Sequence, residues 1–114
     1  LRLVDEIHST EWESTDHEAI QKASALIRKL QKVDCTSCGY CMPCPQGVDI
    51  PRNFGFINDH YMLKDPAAKM RYSGLLSEVQ RASSCIQCGE CLDKCPQQID
   101  IPEELAHVAD VFAV

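Results

Sequence analysis

At 114 residues, with a formal net charge of -6, a 45% hydrophobic content that includes eight cysteines, and only 6% aromatic residues, the chain has room for one domain around a thin organic core. The acidic balance argues against nucleic acid as a partner, and no stretch approaches the roughly 18 apolar residues of a membrane span. No charged-then-apolar segment marks a secretory signal, so the cytoplasm, where thiols stay reduced, is the expected location.

In chain order, Leu1 stands where a methionine would open a free-standing protein, so the chain is expected to be a piece of a longer polypeptide, with residues 1–14 as a linker or remnant. A faint alternation over 1–7 is the one ambiguous strand signal, and Trp12 reads as a packing anchor. Thr15-x-x-Glu18 has the form of a capping box. After it, Ile20, Ala23, Ile27 and Leu30, with Ala19 and Leu26 beside them, repeat at helical spacing, which predicts a helix over 16–31 that packs by this stripe. The first cysteine run follows, Cys35-x2-Cys38-x2-Cys41-x2-Cys44-Pro45. Asp49-Ile50-Pro51 then opens a helix over 51–63, with proline in the first turn and Phe54, Ile57 and Tyr61 on one face. Asp65-Pro66 starts a shorter helix that Ser73-Gly74 ends, and residues 75–81 read as helical again. The second run is Cys85-x2-Cys88-x2-Cys91-x3-Cys95-Pro96, and Asp100-Ile101-Pro102 opens a last helix over 102–112. The expected fold class is therefore all-α, with residues 15–114 as its domain.

The two runs belong to an internal repeat. Cys44-Pro45-Gln46-Gly47-Val48-Asp49-Ile50-Pro51 matches Cys95-Pro96-Gln97-Gln98-Ile99-Asp100-Ile101-Pro102, while Cys35 and Gly39 align with Cys85 and Gly89 at an offset shorter by one residue. The contraction falls between Cys41 and Cys44, where only Met42 and Pro43 intervene. Duplication implies two similar halves paired about a pseudo-twofold axis.

Runs of this kind hold cubane iron-sulfur clusters. Three thiolates spaced by two residues can wrap a short loop around one face of a cluster, but the same loop cannot readily turn to its fourth corner. The fourth cysteine, followed by a proline that redirects the chain, characteristically serves the other cluster. The expected ligand sets are crossed: Cys35, Cys38, Cys41 and Cys95 on one 4Fe-4S cluster, and Cys85, Cys88, Cys91 and Cys44 on the other. Disulfides are disfavoured by the absence of a secretory signal. Zinc knuckles use two cysteines separated by a spacer, where here four are packed into each run, and free catalytic thiols would not need this regularity. A structural metal module, zinc or iron-sulfur, that mediates binding without redox chemistry is the rival reading. An open catalytic iron would require a missing ligand, and all eight cysteines are present.

Gly39 and Gly89 are expected to bring backbone N–H groups close to the cluster sulfides, or to permit a positive φ. Tyr40, Met42 and Val48 should shield the first cluster, and Ile86, Leu92 and Ile99 the second. Glu90 and Asp93, if near the second cluster, should make it the harder to reduce. His8, His17, His60 and His107 are scattered and surplus to the ligand sets, and the chain shows no nucleophile-base constellation, phosphate loop or dinucleotide fingerprint. No catalytic residue is therefore expected within it.

Forty residues separate Cys44 from Cys85, and their helical character resembles the α-helical ferredoxin fold rather than the compact βαβ-like bacterial ferredoxin. The segment Cys35-Thr36-Ser37-Cys38-Gly39-Tyr40-Cys41-Met42-Pro43-Cys44-Pro45-Gln46-Gly47-Val48-Asp49-Ile50-Pro51, together with Cys85-Ile86-Gln87-Cys88-Gly89-Glu90-Cys91, resembles the C-terminal ferredoxin domain of aldo/keto-reductase-related oxidoreductases. The resemblance implies a (β/α)8 barrel upstream in the same polypeptide, of which residues 1–14 would be the tail or linker. It also implies an electron-transfer role toward that barrel, and the acidic charge of the chain suits a separate redox partner protein with a basic docking patch.

Overall fold

The computed structural model describes residues 13–113. Among these the regular elements are helical and there is no strand: α1 (Ser14–Leu30), α2 (Ile50–Leu63), α3 (Ala68–Leu75), two 3-10 turns (Glu78–Gln80 and Ala82–Ser84) and α4 (Ile101–Phe112). The ambiguous segment 1–7, together with His8 and Trp12, lies outside the described residues.

Each helix start has a local cause. Asp49 and Asp100 cap α2 and α4, their carboxylates accepting the N–H of Arg52 at 3.3 Å and of Glu103 at 3.2 Å, with proline in the first turn of both. Both helices begin one residue before the predicted position. For α1 the expected box at Thr15 and Glu18 is replaced by one two residues earlier: Asp16 accepts the backbone N–H of Glu13 at 3.1 Å, which leaves Thr15 inside the first turn. Asp65 opens the chain into α3 by accepting the Ala67 N–H at 2.8 Å, and its carboxylate pairs with Arg71.

Residues 75–81 do not form the expected α-helix. Arg81 turns back to cap α3, donating from Nη2 to the Ser73 carbonyl at 2.7 Å and from Nε to the Leu76 carbonyl at 3.1 Å. Leu76 is extended, and Ser77 with Gln80 makes a small capping box of its own, so only a 3-10 turn follows.

The core lies where α2, α3 and α4 meet. Ile50, Phe54, Ile57, Tyr72, Ile101, Leu105, Val108 and Phe112 are buried, and the Tyr72 ring stacks on Phe112 with centroids 4.4 Å apart. Tyr61, expected on the same face as Phe54 and Ile57, sits at the edge of this core and bonds through its hydroxyl to His107 Nε2 at 3.1 Å. The stripe of α1 packs less than its periodicity predicts: no residue of the helix is buried, and Ile20, Leu26 and Ile27 are at least half exposed.

Two asparagines on α2 fasten the rest of the chain to it. Asn53, fully buried, donates to the Asp49 and Gln80 carbonyls at 2.7 and 2.8 Å and accepts from the Tyr72 hydroxyl at 2.6 Å and the Ala82 N–H at 2.9 Å. All four of its hydrogen-bonding positions are used, as burial of an amide requires. Asn58 accepts from the N–H groups of Lys32 and Val33 and donates to the Val33 carbonyl. One asparagine thus anchors the chain just before Cys85, and the other just before Cys35.

Candidate metal centre

The two cysteine runs share one backbone. Ser37 and Gln87 adopt left-handed conformations at φ 56° and 55°, and Gly39 and Gly89 follow at 76° and 80°. This double reversal curls each loop so that the Ser37 N–H donates to Cys35 Sγ, and the Gln87 N–H to Cys85 Sγ, both at 3.4 Å. A turn then closes behind each loop, from the Met42 N–H to the Gly39 carbonyl and from the Leu92 N–H to the Gly89 carbonyl. No atom would crowd a Cβ at Gly39, and the nearest to one at Gly89 is 3.6 Å away, so backbone conformation alone asks for glycine at both.

Between the loops lie two hollows with largely apolar walls. Cys85, Cys88 and Cys91 line one, the second-run hollow, together with Cys44 and Cys41, and Cys35, Cys38 and Cys41 line the other, the first-run hollow, together with Cys95. Each therefore receives the first three thiols of one run and a Cys-Pro-Gln arm from the other, Cys44-Pro45-Gln46 in one case and Cys95-Pro96-Gln97 in the other, and Cys41 borders both. The correspondence extends further. Gly89, Pro102 and Leu105 of the second-run hollow stand where Gly39, Pro51 and Phe54 stand in the first-run hollow. α2 and α4 each begin at a wall, so the partial positive charge of a helix N-terminus is close to each hollow and favours an anionic occupant.

All eight cysteines are free. A single zinc ion would gather four sulfurs to within about 3.8 Å of one another, given Zn–S bonds of roughly 2.3 Å. Among the described residues no group of His, Cys, Asp or Glu is gathered closely enough to hold one metal ion. The thiols that line each hollow supply the donor type and number that a 4Fe-4S cluster takes. Burial pushes the Cys41 thiol above its ordinary value, partly opposed by its own backbone amide and reinforced by charge on Cys35, Cys91 and Cys38. Cys91 is raised in the same way, burial first, with Cys85, Cys88 and Cys44 adding to it. Binding a metal group here thus requires these thiols to release protons.

The neighbours are distributed differently from expectation. Ile99, expected beside the second run, lines the first-run hollow, because Cys95 carries its own flank across the pseudo-twofold with it. Ile86 lines the second-run hollow, although 64% of its surface stays exposed. Val48 is buried and Met42 packs on the core, while Tyr40 is 67% exposed and Leu92 41%, so neither is a closed shield. Glu90 borders the second-run hollow, but Lys94 does too, and Asp93 belongs to a surface recess with Gln98 and Asp100. The expected pair of carboxylates is thereby reduced to one, with a cation beside it. None of His17, His60 and His107 borders either hollow. Sequence reasoning missed Ile50, Pro51, Phe54, Ile101, Pro102 and Leu105 as wall residues, and extending the repeat three residues past Asp-Ile-Pro would have paired Phe54 with Leu105.

A helical domain with two thiol-lined hollows built from exchanged halves is an iron-sulfur protein of the ferredoxin type. The chain belongs to the 4Fe-4S dicluster domain family, whose family model matches residues 34–99, spanning both cysteine runs and the helices between them. No curated protein and no solved structure matches the chain. No helix among the described residues is long and apolar enough to cross a membrane.

Proposed function

We propose that this chain is an electron-transfer module that holds two 4Fe-4S clusters, one on Cys35, Cys38, Cys41 and Cys95 and the other on Cys85, Cys88, Cys91 and Cys44. The observation that carries this reading is the composition of the hollows, the first three thiols of one run and the Cys-Pro arm of the other in each, with Cys41 at the border of both. When bound, the clusters supply reversible one-electron chemistry and break no substrate bond. The chain's own residues hold and tune. Ser37 and Gln87 direct N–H groups at Cys35 and Cys85 Sγ, which favours the more negative, reduced state. The apolar walls, Ile50 and Phe54 on one side and Ile50 and Leu105 on the other, limit water. Gly39 and Gly89 leave the backbone bare where it borders each site.

The contracted first run supports a finer proposal, that the module serves an aldo/keto-reductase-like barrel in the same polypeptide and exchanges electrons with a further redox partner in the cytoplasm. Its net charge of -6 suits a partner with a basic docking face, an attraction that weakens with salt.

Iron, acid-labile sulfide and zinc analysis of anaerobically purified protein tests the reading, followed by EPR after reduction. About eight irons and eight sulfides per chain are expected for two clusters, and stoichiometric zinc without sulfide would defeat it. Crossed ligation has a separate test: Cys95→Ser should disturb the cluster seated on Cys35, Cys38 and Cys41, and a disturbance confined to the second-run cluster would refute the exchange.

A further inference from the structure

Resting on the two-cluster reading, we infer that Ile50 is the partition between the clusters and tunes both of them. Ile50 is 1% exposed, opens α2, and lines both hollows. Its repeat counterpart Ile101 is equally buried and also opens a helix, yet it lines the first-run hollow alone. The two isoleucines occupy equivalent positions in the duplicated unit and are not equivalent in reach.

The chemistry follows from what an isoleucine withholds. It has no donor and no acceptor, so a wall of it offers the cluster sulfides no hydrogen bond and keeps water from both sides at once. Both features hold the potentials of adjacent clusters down, because the added negative charge of reduction finds less stabilisation. Cys41 is the one cysteine that borders both hollows, and it stands against the same partition. An electron that crosses leaves one cluster oxidised by one electron and the other reduced by one. It passes the Cys41 Sγ and the Ile50 side chain, with no bond broken and no proton moved, after an external one-electron donor has supplied it.

The test is a redox titration of the full cluster-loaded chain, followed by integrated EPR, with iron and sulfide content measured on each sample. Ile50→Thr replaces part of the wall with a hydroxyl, and both one-electron steps should move to more positive potential. Ile101→Thr should move only one step, carrying half of the spin; if the wild type titrates in a single wave, this variant should split it while Ile50→Thr shifts it whole. A loaded Ile50→Thr protein in which one step or neither moves overturns the inference, as does an Ile101→Thr protein in which both move. Should Ile50→Thr fail to fold, Ile50→Val removes a single methylene and must give the same pattern with smaller shifts. Failure of that variant to hold clusters would count against a tuning role. Absence of iron and sulfide from the wild type would overturn the two-cluster reading and this inference together, whereas loaded clusters with the wrong pattern overturn the inference alone.

Discussion

In the first cysteine loop Ser37 and Gly39 take left-handed backbone, and in the second Gln87 and Gly89 do the same within a few degrees. Each loop aims one N–H at its first thiol, and each is followed by an aspartate-capped helix. Beyond that shared frame the loops diverge. Tyr40 faces solvent where Glu90 borders a hollow, two residues bridge Cys41 to Cys44 where three bridge Cys91 to Cys95, and Gly47 stands where Gln98 does. The duplication has kept what grips a cluster and varied what surrounds it, which are the features that set its potential.

The anchors of the two loops provide the sharpest way to break their equivalence. Asn53→Ala removes a fully buried amide that ties α2 to the chain before Cys85, and a loss of about 2–4 kcal/mol is expected. Asn58→Ala, at a partly buried site before Cys35, should cost about 1–2 kcal/mol, since the freed groups can turn to water. Anaerobic thermal unfolding should rank the variants in that order. Visible absorption with EPR should show the second-run cluster lost first in Asn53→Ala and the first-run cluster lost first in Asn58→Ala.

A smaller effect is expected where the repeat puts different residues on the same left-handed backbone. Gly47 sits at φ 81°, and a Cβ there would come 2.7 Å from Val79 Cγ1, whereas Gln98 holds φ 54° without glycine. Because Val79 is exposed and can give way, Gly47→Ala should cost about 1–2 kcal/mol, chiefly in backbone strain. Gln98→Gly should change stability by less than about 0.5 kcal/mol. Equal melting shifts for the two would remove the asymmetry.

The smallest expected effect is electrostatic. Glu90→Gln should raise the potential of the second-run cluster and Lys94→Gln should lower it, with the first-run cluster moving less in both. Both side chains are exposed, so the shifts should shrink as salt is added. Equal shifts at the two clusters would show that the charges act on the molecule as a whole.

Much of this site was legible in the cysteine spacing, because ligand residues and Asp-Ile-Pro caps act through a few neighbours along the chain. The helices over 50–63 and 101–112 were legible for the same reason. What escaped the sequence depends on contacts between distant segments. Asn53 and Asn58 look like ordinary surface amides until Ala82 and Val33 are brought to them. Arg81 stops α3 from eight residues away, which no local propensity records. Ile99 lines the first-run hollow because it crosses with Cys95, a contact between distant segments that its place beside the second run does not record.

Asn53 and Asn58 stand on a single helix, about 7.5 Å apart along its axis at 1.5 Å per residue. The chain segments that lead into the two loops are therefore hung from one stiff rod. In the proposed two-cluster module, that rod ties the position of one loop to the position of the other. α2 serves the molecule as a ruler.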